Sequence, residues 1–160
     1  MAGTAAVASG IIEMLKEDHA KVKGLFEDFE SAEGREQADI AATAIMELEV
    51  HADLEEKLIY PSIRKQIDED EMMNQAVEEH HLVHVLVKEL KKLKPKDEVF
   101  QAKFKVLGEL VKHHIEEEEG QILPKAQESE IDWDKLETTV MKRRETMTNK
   151  LAGQKKASKR

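Results

Sequence analysis

Two stretches of the chain repeat one pattern, and that pattern puts titratable residues where a helix should be apolar. The first is His51-x3-Glu55-Glu56-x2-Ile59-x-Pro61; the second, 63 residues later, is His114-x3-Glu118-Glu119-x2-Ile122-x-Pro124. A weaker pair precedes each: Glu17-Asp18-His19-x2-Val22 and Glu78-Glu79-His80-x2-Val83, 61 residues apart. A chain built this way reads as two αα-hairpins of one design. Stacked antiparallel, they bring four helix faces together around a pseudo-twofold axis.

The periodicity agrees. Spacings of three and four residues run through four segments. Over residues 11–30 the stripe is Ile12, Leu15, His19, Val22, Phe26 and Phe29. From 37 to past 60 it is Ala41, Ala44, Leu48, His51, Glu55 and Leu58. Over 72–93 it is Met73, Val77, His80, Val83, His84, Val87 and Leu90, and from 98 to past 123 it is Phe100, Leu107, Leu110, Val111, His114 and Glu118. Gly34, the acidic run 68–71 and Pro95 separate them. A fifth amphipathic stretch follows, with Trp133, Leu136, Val140 and Met147 on one side and Asp132 or Asp134 as its cap.

No segment has a strand period, and seven Gly and three Pro in 160 residues leave few turn formers. The predicted fold is all-α: an up-down-up-down four-helix bundle with an additional C-terminal helix. The predicted organisation is a disordered N-terminal tail over 1–10, the bundle over 11–126, the C-terminal helix over 127–150 and a basic disordered tail over 151–160.

Composition removes several function classes. There is no Cys, so disulfides, thiol catalysis and thiolate-held metal clusters are excluded. The net charge is −9 even with four basic residues in the last ten, so the body repels phosphate backbones and no nucleic-acid partner is expected. No apolar run approaches the roughly 20 residues that span a bilayer, and the first ten residues lack the basic and apolar regions of a signal peptide. The expectation is a cytoplasmic protein without a membrane partner.

The stripes carry the chemistry. Residues four apart on a helix lie one above the other, so His51 with Glu55, His80 with His84, and His114 with Glu118 each share an inward face. His19 stands alone in the first stripe. Five imidazoles and two carboxylates then converge inside the bundle, where an uncompensated carboxylate costs several kcal/mol. A pair of metal ions meets that cost, with nitrogen from the histidines and carboxylates bridging. On a straight helix His81 lies about 100° from His80, and His113 as far from His114, so both belong to the rim. Glu119 lies about 140° from His114, off the face, and Tyr60 about 180° from His51, as peripheral packing. Gln121 falls one turn beyond Glu118 on the inner face, where its amide could meet a small bound ligand.

The order His, His-x3-Glu, His-x3-His, His-x3-Glu over four helices closely resembles the hemerythrin-like, or HHE cation-binding, family in its bacterial form. The resemblance rests on the EDH around His19, HADLEEKLIYP from His51 and HIEEEEGQILP from His114, and runs from about Ile11 to Ala126. It implies a non-haem di-iron centre with an oxo or hydroxo bridge, in which Mn or Zn can substitute. His80, His84 and His114 would hold one iron, His19 and His51 the other, and Glu55 and Glu118 would bridge. The second iron then has an open position for dioxygen, peroxide or nitric oxide. The spacing His114-x3-Glu118 is that of many bacterial members, whereas the oxygen carriers have His-x4-Asp. The implied function is binding of oxygen or a related small ligand. The alternatives are an enzyme that removes hydrogen peroxide or nitric oxide, and an iron storage or delivery protein.

Overall fold

A computed structural model of the chain describes residues 10–158. Helix α1 spans Gly10–Ser31 and α2 spans Gly34–Leu54. A π-helical turn, Glu55–Ile59, and a short α segment, Tyr60–Gln66, continue α2 along the same rod. Helix α3 spans Asp70–Leu90. Helix α4 spans Glu98–Glu117 and continues in the same manner, through a π turn at Glu118–Ile122 and an α segment at Leu123–Gln127. Helix α5 spans Trp133–Ser158. No strand occurs among the described residues.

The four-helix bundle with its extra helix is as the sequence predicts. Helix α1 packs on α2, α2 on α3, α3 on α4 and α4 on α1, which closes the ring; α5 lies against α1, α2 and the first π turn. Gly34 takes φ +58°, a left-handed conformation that suits glycine, and so tightens the α1–α2 turn. The Asp132 carboxylate accepts from the Lys135 backbone N–H at 3.2 Å and caps α5. The helix runs to Ser158, beyond the expected end at 150, through residues rich in the good helix formers Lys, Ala and Gln. The tail expected over 1–10 lies, apart from Gly10, outside the described residues.

The core has two apolar layers. One gathers Ile11, Leu15, Leu54, Ile63, Met73 and Val140, the other Val22, Leu48, Val83, Phe104, Leu107 and Val111. The stripes show why they are separate. Along α1, Leu15 and Val22 flank His19; along α3, Ala76 and Val83 flank His80. Each helix reaches the same height with a polar residue, so a buried polar layer divides the core.

Both π turns have one origin. In each, a backbone N–H reaches the fifth carbonyl back: Tyr60 N–H to Glu55 O, and Leu123 N–H to Glu118 O. Pro61 and Pro124 follow directly. Proline has no N–H to continue the ladder, and its ring presses on the carbonyl four residues before it, so the helix widens there by one residue. That extra residue turns back everything beyond it by about 100°.

Candidate metal centre

Six side chains form the polar layer: His19, His51, Glu55, His80, His114 and Glu118, all buried, with Glu55 and Glu118 fully so. Each of the four histidines has a carboxylate behind it. His19 Nδ1 donates to Glu119 at 2.6 Å, His51 Nδ1 to Asp18 at 2.9 Å, His80 Nδ1 to Glu56 at 2.9 Å and His114 Nδ1 to Glu79 at 2.7 Å. An ionised carboxylate only accepts, so these bonds put a hydrogen on Nδ1 and aim Nε2 inward.

The inward atoms crowd one another. Glu55 Oε1 lies 3.2 Å from His51 Nε2 and 3.1 Å from His80 Nε2. Glu118 Oε2 lies 3.1 Å from His114 Nε2, and its Oε1 lies 3.4 Å from His19 Nε2. His19 and His51 approach Nε2 to Nε2 at 3.2 Å, as do His80 and His114. Both Glu55 oxygens and Glu118 Oε1 are buried without a hydrogen-bond partner. Lone pairs facing lone pairs at this density need cations between them. Ions with ligands at roughly 2.0–2.2 Å hold neighbouring ligands roughly 3.0–3.5 Å apart, which is the spacing here. Two overlapping ligand sets result: His19, His51, Glu55 and Glu118, and Glu55, His80, His114 and Glu118, with atoms within 4.8 Å of one another in each. The residues fit a pair of metal cations sharing two carboxylates.

Electrostatics agree. Burial alone would lower the His51 and His114 pKa values, but the carboxylates win. Glu55 and the Asp18 hydrogen bond carry His51 well above its ordinary value, and hydrogen bonds to Glu118 and Glu79 carry His114 to about 10. Burial alone would raise Glu118, but the His114 hydrogen bond and the nearby His19 imidazole hold it well below the usual carboxylate range. Without metal, protons on imidazoles supply the positive charge that cations otherwise provide.

His84, which shares the inward stripe of α3 with His80 and which the resemblance makes an iron ligand, is not brought to the centre. Its side chain is 46% exposed, and its Nε2 meets Glu56 Oε2 at 2.7 Å, the oxygen that also serves His80 Nδ1. Four residues along α3 carries it outward to the rim. Tyr60 stands in the centre instead. Its hydroxyl donates to Glu118 Oε2 at 2.5 Å and lies 3.1 Å from His114 Nε2 and 3.3 Å from His80 Nε2. The π turn is the reason: about 180° from His51 on a straight helix, Tyr60 comes back by about 100°. Glu119, which a straight wheel puts off the face, reaches His19 Nδ1 from the start of the second π turn. Gln121 is exposed and does not reach the centre. His81 is exposed and His113 59% exposed, as the wheel predicts.

Helical period alone does not mark Asp18, Glu56, Glu79 and Glu119 as partners of the histidines. Their trace in the sequence is the repeat itself: Asp18 and Glu79 each precede a ligand-type histidine, and Glu56 and Glu119 each follow an inward glutamate.

A small cavity of about 30 Å³ adjoins the layer, walled by Val22, Leu48, Val83, Val111 and Ile115 as well as by the histidines. That is room for about two water-sized bodies. These aliphatic walls are 2–8% exposed, so one side of the cavity is apolar and buried.

The model of the hemerythrin HHE cation-binding domain matches residues 10–126. The chain belongs to that family. Its histidine–glutamate layer thus falls wholly within a hemerythrin-type domain. One solved structure similar to this hemerythrin-like chain is a hemerythrin HHE cation binding domain-containing protein, the Rv2633c homolog from Mycobacterium kansasii. It shares 21% identity at a TM-score of 0.72, over 86% of each chain, which supports the fold. No curated protein matches the sequence. Among the described residues, no helix is long and apolar enough to cross a membrane.

Proposed function

We propose that this hemerythrin-like chain holds two iron ions and binds dioxygen or a related small ligand, peroxide or nitric oxide, beside them. His19 and His51 would hold one ion, His80, His114 and Tyr60 the other, with Glu55 and Glu118 serving both. Mn or Zn would suit the same nitrogen and oxygen donors. A di-iron pair, with its oxo or hydroxo bridge, supplies reversible one-electron chemistry and open coordination for a small ligand.

The observation that carries this reading is the asymmetry of the two ligand sets. Tyr60 adds a fifth protein atom at the His80–His114 position, whereas His19 and His51 are joined only by the shared carboxylates. An ion beside His19 and His51 would therefore have fewer protein donors than one beside His80, His114 and Tyr60. The 30 Å³ cavity borders His19 and His51 as well as His80 and His114, and its size suits a small ligand beside the layer. The outer carboxylates hold the four imidazole rings in place and keep their Nδ1 hydrogens.

A second reading, an enzyme that removes hydrogen peroxide or nitric oxide, is favoured by Tyr60. Its buried O–H, bonded to Glu118 at 2.5 Å and kept protonated by burial and the nearby Glu118 and Glu55 carboxylates, is a hydrogen-bond donor at the centre itself. Metal analysis with a visible spectrum tests the centre: two irons per chain are expected. Stopped-flow mixing of the reduced protein with oxygen, beside a peroxide-consumption assay, separates the two roles. A long-lived adduct that releases oxygen under vacuum, with no peroxide consumed, supports binding; sustained peroxide loss supports the enzyme. Zinc alone in protein grown in iron-replete medium would count against both.

A further inference from the structure

Outside the buried layer, α3 and α4 bring together a second group of ligand-type side chains. Glu79, His113 and Glu117 place donor atoms within 4.8 Å of one another. His113 and Glu117 are one turn apart on α4, with His113 Nε2 3.2 Å from Glu117 Oε1. Glu79 reaches across from α3 and sets its Oε2 3.6 Å from the same nitrogen. Each carboxylate has its other oxygen tied down. Glu79 Oε1 accepts from His114 Nδ1 at 2.7 Å, and Glu117 Oε2 accepts from the Gln75 amide at 2.8 Å. Two carboxylates are thereby fixed with their remaining oxygens toward one imidazole nitrogen. The group opens to solvent: the His113 side chain is 59% exposed and Glu117 30%, against 11% for Glu79.

The other half of the pseudo-twofold shows what this position requires. Asp18 is the counterpart of Glu79: it precedes His19 as Glu79 precedes His80, and it holds His51 Nδ1. There the Arg144 guanidinium of α5 lies on the Asp18 carboxylate and balances its charge. Helix α5 lies against α1 and α2, so this balance belongs to that half. At the equivalent place on the α3–α4 side Glu79 meets His113 and a second carboxylate, Glu117.

We propose that Glu79, His113 and Glu117 form an outer binding site for a divalent transition-metal cation, with water completing its coordination. One imidazole and two carboxylates suit Fe²⁺, Zn²⁺, Co²⁺ or Mn²⁺; the nitrogen disfavours Mg²⁺ and Ca²⁺, which take oxygen. The 3.2 and 3.6 Å spacings are near those of neighbouring ligands on such an ion. Glu79 would then join the two sites, one oxygen on the outer cation and the other on His114. An ion held there sits at the surface, one carboxylate away from the buried centre, where a cation on its way inward would dock. The site stands on its own geometry and does not depend on which metal fills the centre.

Calorimetric titration of the full chain with Zn²⁺ tests this, comparing wild type with His113→Ala, Glu117→Gln and His81→Ala. His113 is exposed, so its loss leaves the fold intact. His81 is an exposed α3 histidine outside the group and serves as the control. Wild type and His81→Ala should each bind one equivalent of Zn²⁺ more than His113→Ala, and Glu117→Gln should weaken that equivalent at least tenfold. The comparison is a difference between variants, so the occupancy of the buried centre cancels. Equal stoichiometry and affinity in wild type and His113→Ala would overturn the proposal. So would an equal loss in His81→Ala, which signals nonspecific binding, or a loss of more than one equivalent in His113→Ala, which would assign His113 to the inner centre.

Discussion

Tyr60 and Leu123 hold equivalent places in the two repeats, each nine residues after its histidine and one before its proline, yet only Tyr60 brings a polar atom into the metal centre. Leu123 is buried in the apolar layer instead. Two copies of one hairpin therefore enclose an unequal centre, and the inequality is one hydroxyl deep.

Tyr60→Phe removes that hydroxyl and keeps the ring. Metal content should fall from two ions per chain toward one, with the helical circular dichroism unchanged. Leu123→Ala should instead keep both ions and lose stability, by about 2–5 kcal/mol for a buried leucine. Unchanged metal in Tyr60→Phe would show that the phenol only packs beside the centre.

The histidines should contribute unequally. His51→Ala should lower metal content sharply, because His51 Nε2 faces Glu55 within the buried layer. His84→Ala and His81→Ala should stay near wild type. His84 supports Glu56 from the rim, so its loss should appear as weaker affinity, within about tenfold. Elemental analysis of the four proteins purified in parallel checks this.

Glu118 and Glu119 are adjacent in sequence and differ in rank. Glu118→Ala removes a donor from both ligand sets and should empty both positions. Glu119→Ala leaves the donors in place but frees the His19 ring, so affinity at one position should fall about 10–100-fold. Metal titration of both variants distinguishes the two outcomes.

The metal-free protein should be most stable between about pH 5 and 6. The raised histidines contribute stability that is full below their ordinary pKa of 6.5 and is lost as pH rises through their folded values, about 10 for His114. The lowered carboxylates contribute stability that is full above their ordinary 4.5 and is lost as pH falls through their folded values. For Glu56, hydrogen bonds from His80 and His84 outweigh burial and set that value at about 2. Urea midpoints of metal-free protein at pH 3, 6 and 9 should peak at 6. Metal competes with the imidazole protons, so metal affinity should rise with pH from 6 to 9, with protons released on binding.

Val111→Leu adds one methylene at the wall of the 30 Å³ cavity. Small-ligand affinity at the loaded centre should drop at least tenfold while metal content holds, at an overpacking cost of about 1–3 kcal/mol. Azide binding followed by visible spectroscopy is the measurement.

The sequence by itself determined the bundle and most of its centre. A repeat at 61–63 residues with histidine in every apolar stripe leaves few alternatives. Helices must meet on those faces, and the buried carboxylates must find cations. The 3.6-residue period alone puts His19, His51, Glu55, His80, His84, His114 and Glu118 on inward stripes, and six of these seven meet in the buried layer. The period failed where the helix departs from it. Ile-x-Pro after each inward glutamate is legible as part of the repeat, but the direction in which the widened turn carries Tyr60 depends on backbone geometry that a straight wheel does not contain. Tertiary packing decided the remainder. Both His80 and His84 lie on one stripe of α3, yet the stripe is wider than the polar layer, and the height of the layer is set by where the other three helices place their ligands. His80 meets it; His84, one turn further on, meets solvent and Glu56. The pairing of each histidine with a carboxylate from a different helix was likewise decided by tertiary structure, because residues separated by as many as 100 positions become neighbours only when the four faces close.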